Sequence, residues 1–290
     1  MTSIQELQNL LGRDPEDSCI KDFVGVQRIG PVGIITLARP EQLNIINLAG
    51  WRRILATAEE FAQDSELRVV LLRGAGPKAF GTGADIKEFP EVRMTAETAV
   101  SYNETLGKAL RAVAAIPIPV IAVIGGLAVG GGLELSGSAD VRIASRDSRF
   151  GLPIGKLGVT LGYSEAAGIT RLIGPANEKY LLFSSRIVDA EDALRMGLIQ
   201  QMVEREDLIT ETVSLVQSIL STSAMTLRAG KLAIDMTQRD ITPEDTEALA
   251  RITVEAYSGA DLREGVSAFA ERRPAQFPSA RPLADTGDAG

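Results

Sequence analysis

The order of apolar and polar positions predicts strands that alternate with helices. Residues 22–38 contain two apolar stretches separated by Gly30 and Pro31, which is typical of a β-hairpin. Later apolar runs predict strands of a sheet that is covered on both faces. These runs are 69–72, 120–124, 141–145 and 198–203. Strands and helices that alternate in this way indicate an α/β fold.

Helices are predicted where apolar residues recur every three or four positions. The residues with this spacing are Trp51, Ile54, Leu55, Ala58 and Phe61 in one segment and Leu106, Leu110 and Val113 in another. From Asp189 onward most of the chain has helical patterns, and Asp189 and Gly197 are suited to begin and end a helix. We therefore divide the chain into an N-terminal extension (1–20), an α/β core (21–205), a C-terminal helical region (206–277) and a flexible tail (278–290).

Composition restricts the chemistry. The 290 residues include no histidine, which excludes catalytic triads and metal sites built on imidazole. The single cysteine, Cys19, cannot form an internal disulfide or a cysteine-rich zinc site, so we expect no metal. The net charge of -8 disfavours binding to nucleic acid or to anionic lipid. Any catalysis must use carboxylates, lysine, tyrosine or backbone amides.

Residues 112–133 carry no charge and are long enough to span a bilayer. We reject a membrane segment because Pro117 and Pro119 interrupt its start and glycines crowd its end. Residues 1–18 contain several acidic side chains and no apolar run, so they do not resemble a signal peptide. We expect a cytoplasmic protein with no membrane partner and no nucleic-acid partner.

Three glycine motifs are typical of common enzyme classes, but other features of the sequence exclude each of these classes. Gly74, Gly76 and Ala79 have the spacing of a dinucleotide-binding loop. Pro77 and the glycines that follow cannot open the long helix that this loop requires. Every Gly-Lys pair is followed by Ala or Leu, which excludes a phosphate-binding P-loop. Residues 162–166 resemble the nucleophile elbow of serine hydrolases, but such an enzyme needs a histidine.

Two glycine-rich segments remain, at 79–89 and 124–135. The second runs from a buried strand into a helix, so its backbone N–H groups and the positive end of the helix dipole face one space. Glu134 lies in the first turn of this helix, where a carboxylate is suited to act as an acid or base on a bound ligand. The alternative is that Glu134 only complements the helix dipole while the glycines permit close packing. The pattern does not decide between them.

Five segments follow one another in an order typical of one enzyme family. They are LARPEQLNIIN from Leu37, AFGTGADIKEF from Ala79, PVIAVIGGLAVGGGLELSGSADVRIAS from Pro119, RIVDAEDALRMGLIQQMV from Arg186 and REGVSAFAERR from Arg263. Together they resemble the crotonase, or enoyl-CoA hydratase/isomerase, superfamily over about 23–277. The resemblance implies a crotonase-like α/β fold of repeated ββα units. It also implies that the C-terminal helices join subunits into a homotrimer or hexamer.

The resemblance further implies a substrate and a site. Members of this family bind an acyl-CoA, so we expect coenzyme A as part of the substrate and no permanently bound cofactor. By motif match, the N–H groups of Ala84 and Gly131 form an oxyanion hole for the thioester oxygen. The residues expected to contact CoA are Phe80, Gly83, Asp85 and Lys87, with Phe269 and Arg273 covering the CoA of a neighbouring subunit.

The sequence departs from the hydratase pattern at one catalytic position. Typical hydratases have a second glutamate in a segment F-G-x-P-E, where this chain has Ile154. The residues assigned to the substrate pocket are Ile154, Gly162, Tyr163 and Glu165. Glu165 is a candidate second acid, but a position on the surface of a helix is expected for it. Tyr163 is a polar candidate beside Gly162, where the family places the reacting water.

We therefore expect an enoyl-CoA hydratase-like lyase that stabilises a thioester enolate and uses Glu134 as its single acid and base. The alternatives on the same scaffold are enoyl-CoA isomerisation, decarboxylation and CoA-thioester hydrolysis, because one carboxylate suffices for several of these reactions. A non-catalytic RNA-binding member of the family is disfavoured by the negative net charge.

Overall fold

The computed structural model describes residues 3–284, which form two β-sheets and eleven α-helices. The strands are β1 (Ile20–Lys21), β2 (Val24–Ile29), β3 (Val32–Leu37), β4 (Val69–Gly74), β5 (Ala79–Gly81), β6 (Val120–Ile124), β7 (Leu127–Val129), β8 (Val141–Ser145), β9 (Arg149–Gly151), β10 (Ile187–Asp189) and β11 (Gln201–Val203). The helices are α1 (Ile4–Leu11), α2 (Leu48–Gln63), α3 (Phe89–Val92), α4 (Ala96–Ala114), α5 (Gly131–Gly137), α6 (Tyr163–Ser184), α7 (Ala190–Met196), α8 (Leu208–Leu220), α9 (Ala224–Met236), α10 (Pro243–Ser258) and α11 (Ala260–Glu271).

The larger sheet has the strand order β1-β2-β3-β4-β6-β8-β11. Strands β2 and β3 form the predicted hairpin, with Val24 opposite Leu37 and Ile29 opposite Val32. From β3 to β11 the neighbouring strands are parallel, and β3, β4 and β6 are buried almost throughout. The unbroken apolar runs of the central strands follow from burial on both faces. The strands predicted after the hairpin are confirmed.

The smaller sheet, with the order β10-β9-β7-β5, has no counterpart in the sequence prediction. Its strands have three residues each, too few to give a recognisable pattern. Strands β5, β7 and β9 each follow a long strand of the larger sheet, and helices follow each pair. These are the ββα units that the resemblance implies, so the expected crotonase-like α/β fold is confirmed.

Alternate residues of the larger sheet face two separate cores. In β4, Val70 and Leu72 pack in the core that contains residues of α2 and α4. Val69 and Leu71 point the other way and pack with residues of α1 and α8. The first core also contains α5 and therefore supports the helix that carries Glu134. Packing on both faces of one sheet fixes the position of the strands that lead into the site.

The N-terminal extension contains a helix, α1, that packs against α8 and the sheet. Ser3 and Glu6 form a reciprocal capping box at its start. Leu7 and Leu11 are buried in the second core. The buried guanidinium of Arg73 donates a hydrogen bond to the carbonyl oxygen of Leu11 and so connects the end of α1 to β4. The sequence prediction of a plain extension misses this helix, although the Ser3 and Glu6 spacing was a signal for it.

Helices α8 to α11 confirm the predicted helical C-terminal region. Helix α8 buries one face against the larger sheet, whereas α10 has no buried residue. Large apolar side chains are exposed along α9, α10 and α11. They are Ile234, Val254, Tyr257, Leu262, Val266 and Phe269. This region therefore carries an apolar surface that the described chain leaves uncovered.

The uncharged stretch 112–133 runs from the end of α4 through β6 and β7 into α5. Between residues 3 and 284, no helix combines the length and apolar content needed to cross a bilayer.

Residues 278–284 differ from the expected flexible tail. The side chain of Leu283 is only 4% exposed, and its backbone N–H donates to the side-chain oxygen of Gln217 over 3.0 Å. The N–H of Arg281 donates to the carbonyl oxygen of Leu220 over 2.9 Å. The physical reason is that Leu283 fills a place in the core beside α8. The remainder of the expected tail, 285–290, lies outside the described residues.

We predict that Leu283→Ala lowers the free energy of unfolding by about 2–4 kcal/mol, because it removes buried methyl groups and leaves a cavity. The measurement is urea unfolding of the purified protein. Leu194→Ala is the matched control, since Leu194 is 40% exposed and its truncation costs less than about 1 kcal/mol. Equal stability of the wild type and Leu283→Ala would show that residues 278–284 are a free tail.

Candidate active site

Two glycine-containing segments lie side by side at the end of the smaller sheet. One follows β5, and the other joins β7 to α5. A methyl group placed on Gly83 would lie 3.2 Å from the backbone nitrogen of Gly131. One placed on Gly132 would overlap with the carbonyl oxygen of Gly81. Gly83 also has a φ of +96°, which a residue with a side chain rarely adopts. Glycine is therefore required here for close contact between the two segments.

Polar side chains hold the first of these segments in place. Asn44 is fully buried, and its side-chain nitrogen donates to the carbonyl oxygens of Ala79 and Ala75 over 2.7 and 2.8 Å. The hydroxyl of Thr82 donates to the carbonyl oxygen of Leu43 over 3.1 Å. These bonds fix β5 and the loop after it, so the backbone at 82–84 is positioned before any ligand arrives.

Ala84 and Gly131 line the same cavity, and within residues 3–284 the backbone N–H of neither residue donates a hydrogen bond. Ile46 N–H donates to the carbonyl oxygen of Gly83, and Asp85 N–H donates to that of Ile46. The N–H of Ala84, between them, has no acceptor among residues 3–284. Gly131 is the first residue of α5, where no carbonyl is available within the helix. This pair of donors is suited to bind an oxygen that gains negative charge.

Glu134 lies one turn into α5, is 6% exposed and lines the cavity. Burial is the main reason that its pKa rises to about 8, and the charge of Glu165 adds to the rise. Arg93 opposes this shift. Near neutral pH the Glu134 carboxyl therefore keeps its proton for much of the time. A glutamate that only interacted with the helix dipole would be ionised at neutral pH. The environment of Glu134 therefore favours a role as an acid or base.

Glu165 lies on helix α6 but is buried, contrary to the expected surface position. It is 5% exposed and lines the cavity that Glu134 also lines. A side chain on Gly162 would overlap with the Glu165 carboxylate, so glycine at this position lets the carboxylate fold back toward the cavity. The burial of Glu165 has a local cause, because α6 packs against α5 and Glu165 lies on the buried side of its first turn.

The pKa of the Glu165 carboxyl is also raised, and burial is the largest cause. The backbone N–H groups of Glu165 and Gly162 oppose the rise by interacting with the ionised form. The positive charges of Arg93 and Arg111 oppose it as well. The two carboxyl groups therefore share one water-poor cavity but lie in different electrostatic environments.

The apolar part of the cavity includes Ile154, as the sequence predicts. Its other apolar side chains are Phe89, Leu106, Val129, Leu157 and Val159. The cavity has a volume of about 90 Å³, which suits the reacting end of a substrate and not a whole CoA thioester. Ile154 has no group that can transfer a proton, and the carboxylates that line the cavity are Glu134 and Glu165.

Several of the predicted residues lie away from the cavity. Tyr163 is 90% exposed, so it does not belong to the substrate pocket; the first turn of α6 points it outward. Phe80 is fully buried in the core. Asp85 pairs with Arg39 over 2.8 Å and caps the turn that contains Lys87, whose side chain is exposed. Phe80, Asp85 and Lys87 can therefore contact a CoA only through their backbone or at the protein surface.

Of the predicted site, the structure brings together the two amides, both glutamates, Gly83 and Ile154 in one cavity. Gly162 adjoins it through Glu165. Arg93 also lines the cavity and was not predicted, since a single arginine after a short helix gives no pattern to recognise. Within residues 3–284 no group of three His, Cys, Asp or Glu side chains is arranged to hold a metal ion.

A family model of enoyl-CoA hydratase/isomerase matches residues 28–280, and the chain belongs to this family. It is 35% identical over 252 residues to a probable enoyl-CoA hydratase of Mycobacterium tuberculosis, covering 87% of this chain and 96% of the relative. It is 33% identical to a short-chain-enoyl-CoA hydratase of Clostridium acetobutylicum, covering 86% and 94%. A crystal structure of an enoyl-CoA hydratase/carnithine racemase from Magnetospirillum magneticum superimposes with a TM-score of 0.84 at 36% identity, covering 90% and 97%.

The environment of Glu134 predicts a pH-dependent stability. A carboxyl whose pKa is raised on folding contributes most stability below its unfolded pKa, and this contribution is lost as the pH rises through the folded value. Here the loss falls between the ordinary value of 4.5 and about 8. Glu134→Gln removes the titrating group, so we predict that it is more stable than the wild type at pH 9 by a few kcal/mol, at about 1.4 kcal/mol per pKa unit.

The measurement is urea unfolding of both proteins at pH 5 and at pH 9, with Glu104→Gln on the exposed face of α4 as the control. If the stability difference between Glu134→Gln and the wild type is the same at both pH values, the carboxyl of Glu134 is not held neutral by burial.

Proposed function

We propose that the protein adds water across the double bond of a 2-enoyl-CoA, with Glu134 and Glu165 as its acid and base. The observation that carries this proposal is the burial of Glu165 in the cavity of Glu134, which supplies the second carboxylate that Ile154 cannot. The proposal is supported by the relatives, which include a short-chain-enoyl-CoA hydratase and a crotonyl-CoA hydratase of Syntrophomonas wolfei, 30% identical to this chain.

The backbone stabilises the negative charge that develops on the substrate. The N–H groups of Ala84 and Gly131 bind the thioester oxygen, on which negative charge develops as water attacks the β-carbon. Because these donors are fixed before the substrate binds, they cost no reorganisation during the reaction. Such a donor contributes about 3–4 kcal/mol to transition-state stabilisation in comparable sites.

The two carboxyl groups divide the proton transfers. As the oxygen of water bonds to the β-carbon, one of its protons passes to the Glu165 carboxylate. The protonated Glu134 then delivers its own proton to the α-carbon of the enolate. Return of the water-derived proton from Glu165 to Glu134, directly or through solvent, restores both groups, so one water is added in total. This assignment follows from the pKa of about 8 at Glu134 and from the backbone amides and Arg111, which favour ionised Glu165 and do not act on Glu134. The sequence alone, with one recognised glutamate, gives both steps to Glu134.

The alternative reactions are isomerisation, decarboxylation and thioester hydrolysis, which need only one carboxylate and an oxyanion hole. The paired carboxyl groups favour hydration, because only this reaction needs a base for water and an acid for the α-carbon together.

We propose that the active protein is a homotrimer or a pair of trimers, as the resemblance implies. Helices α9 to α11 enclose an apolar groove of about 790 Å³ whose lining includes Tyr257, Val266 and Phe269. Phe269 is 88% exposed in the single chain, and a second subunit is the partner we propose for it. Arg273 already pairs with Glu264 and Glu271, so we propose Phe269 and not Arg273 as a neighbour's contact to CoA.

Coenzyme A enters beside the segment after β5 in this proposal. Ile86 lines the cavity, and the exposed side chain of Lys87 follows it, where an ammonium group is suited to contact CoA phosphates. The bound CoA is part of the substrate, and no separate cofactor takes part in the reaction.

We predict that Glu134→Gln and Glu165→Gln each lower kcat for crotonyl-CoA hydration by roughly 100- to 10,000-fold. Gln keeps the shape and hydrogen-bonding reach of Glu, so the affinity for the CoA thioester is retained. The measurements are mass spectrometric detection of the product that has gained one water and calorimetric binding of crotonyl-CoA. Glu104→Gln is the matched surface control. Normal turnover by folded Glu165→Gln would refute the proposed carboxyl pair.

For the assembly, light scattering is expected to give the mass of three or six subunits. Tyr257→Asp places a charge in the apolar groove and should shift the protein toward the single-chain mass, whereas Val100→Asp, on the exposed face of α4, should not. A wild-type protein that is monomeric at micromolar concentration would contradict the proposed trimer.

A further inference from the structure

Arg93 occupies the apolar side of the cavity, away from any surface ion pair. It follows α3 directly and lines the cavity together with Phe89 and Leu106. Arg93, Glu134 and Glu165 line the same cavity, and the charge of Arg93 lowers the pKa of both carboxyl groups. The mechanism described above does not require a guanidinium at this position.

The guanidinium carbon of Arg93 lies over two neighbouring aromatic rings. Its central carbon lies 4.6 Å from the ring centre of Tyr102 and 5.2 Å from that of Phe89. One of its terminal nitrogens donates to the side-chain oxygen of Asn103 over 2.7 Å. Stacking on aromatic rings leaves the edge of a guanidinium free for hydrogen bonds in its plane.

Arg93 has no carboxylate partner in the part of the chain that is described. Among residues 3–284 it forms no ion pair, whereas Arg39 nearby pairs with Asp85 over 2.8 Å. The other acidic group next to α3, Glu88, accepts a hydrogen bond from the N–H of Leu48 over 2.6 Å. The cavity therefore contains the positive charge of Arg93, which no carboxylate of the described chain contacts.

We propose that Arg93 binds a carboxylate on the acyl chain of the substrate, so that the preferred substrates are 2-enoyl-CoA thioesters that end in a carboxylate. This rests on the proposed hydratase function, and it names the substrate class of the same site. The geometry favours it because a planar guanidinium with a free edge binds a carboxylate through two parallel hydrogen bonds.

A purely aliphatic acyl chain fits this cavity less well. It would displace water from the half-buried guanidinium and give it no new hydrogen bond, and a charge that loses its water without gaining a partner is destabilised. Phe89, Leu106 and Ile154 provide apolar contact for the carbons between the thioester and the carboxylate. The pocket is thus apolar along its walls and positively charged at one position.

The test compares crotonyl-CoA, whose acyl chain ends in a methyl group, with glutaconyl-CoA, whose chain ends in a carboxylate. We expect the wild type to have the higher kcat/KM with glutaconyl-CoA. Arg93→Met keeps the apolar stem and removes the charge, so it should lower kcat/KM for glutaconyl-CoA roughly 10- to 100-fold more than for crotonyl-CoA. Arg93→Lys should give an intermediate ratio, because it keeps the charge without the planar fork.

Arg111→Met is the matched control. Arg111 lies on the exposed face of α4, outside the cavity, and hydrogen bonds to the hydroxyl of Ser164. Its charge also lowers the pKa of Glu165. Removing it therefore changes the electrostatics of the carboxyl pair without removing a substrate contact, and the ratio between the two substrates should stay at the wild-type value.

The outcomes separate this proposal from the proposed function. If Arg93→Met lowers kcat/KM equally for both substrates, or if the wild type prefers crotonyl-CoA, the carboxylate proposal is overturned while hydration stands. If the wild type hydrates neither thioester, the proposed function fails. In that case calorimetry still decides about Arg93: tighter binding of glutaconyl-CoA that is lost in Arg93→Met supports the contact, and equal binding of both thioesters overturns it.

Discussion

The close approach of the segments 81–83 and 130–132 is the constraint on which the site depends. Side chains on Gly83 or Gly132 would push the two segments apart, because each faces backbone atoms of the other segment. Their contact places Ala84 and Gly131 in the wall of one cavity, with Gly131 at the start of α5. The same helix carries Glu134 into the cavity one turn later. One packing contact thus places Ala84, Gly131 and Glu134 around the same cavity.

Burial then determines the pKa values of the two carboxyl groups in the cavity. An exposed glutamate is ionised at neutral pH, but the loss of solvation raises the pKa of Glu134 and, with more opposition from amides and arginines, that of Glu165. Two carboxyl groups in one cavity whose environments shift their pKa values differently are suited to act one as base and the other as acid. Ile154 in this cavity therefore does not leave the site with a single carboxylate.

Much of the fold was predictable because its signals are local. The hairpin, the apolar runs of β4 and β6, and the helix between Asp189 and Gly197 all result from burial or capping within one segment. The three-residue strands of the smaller sheet were not predictable, since their pairing joins residues as distant as Gly81 and Ala128. Leu283 likewise depends on a core formed elsewhere in the chain.

The residues of the candidate site likewise include some that the sequence predicts and some that depend on tertiary packing. Glu134, Ala84 and Gly131 lie in recognisable motifs, but the burial of Glu165 depends on how α6 packs against α5. Arg93 is held by rings on two helices and gives no sequence pattern at all.

Hydration is tested most directly by incubating crotonyl-CoA with the protein in water enriched in heavy oxygen and deuterium. We expect a product that has gained one water, with the heavy oxygen on the β-carbon and deuterium on the α-carbon. Deuterium exchange or double-bond migration without incorporation of oxygen, or release of the free acid, would contradict hydration.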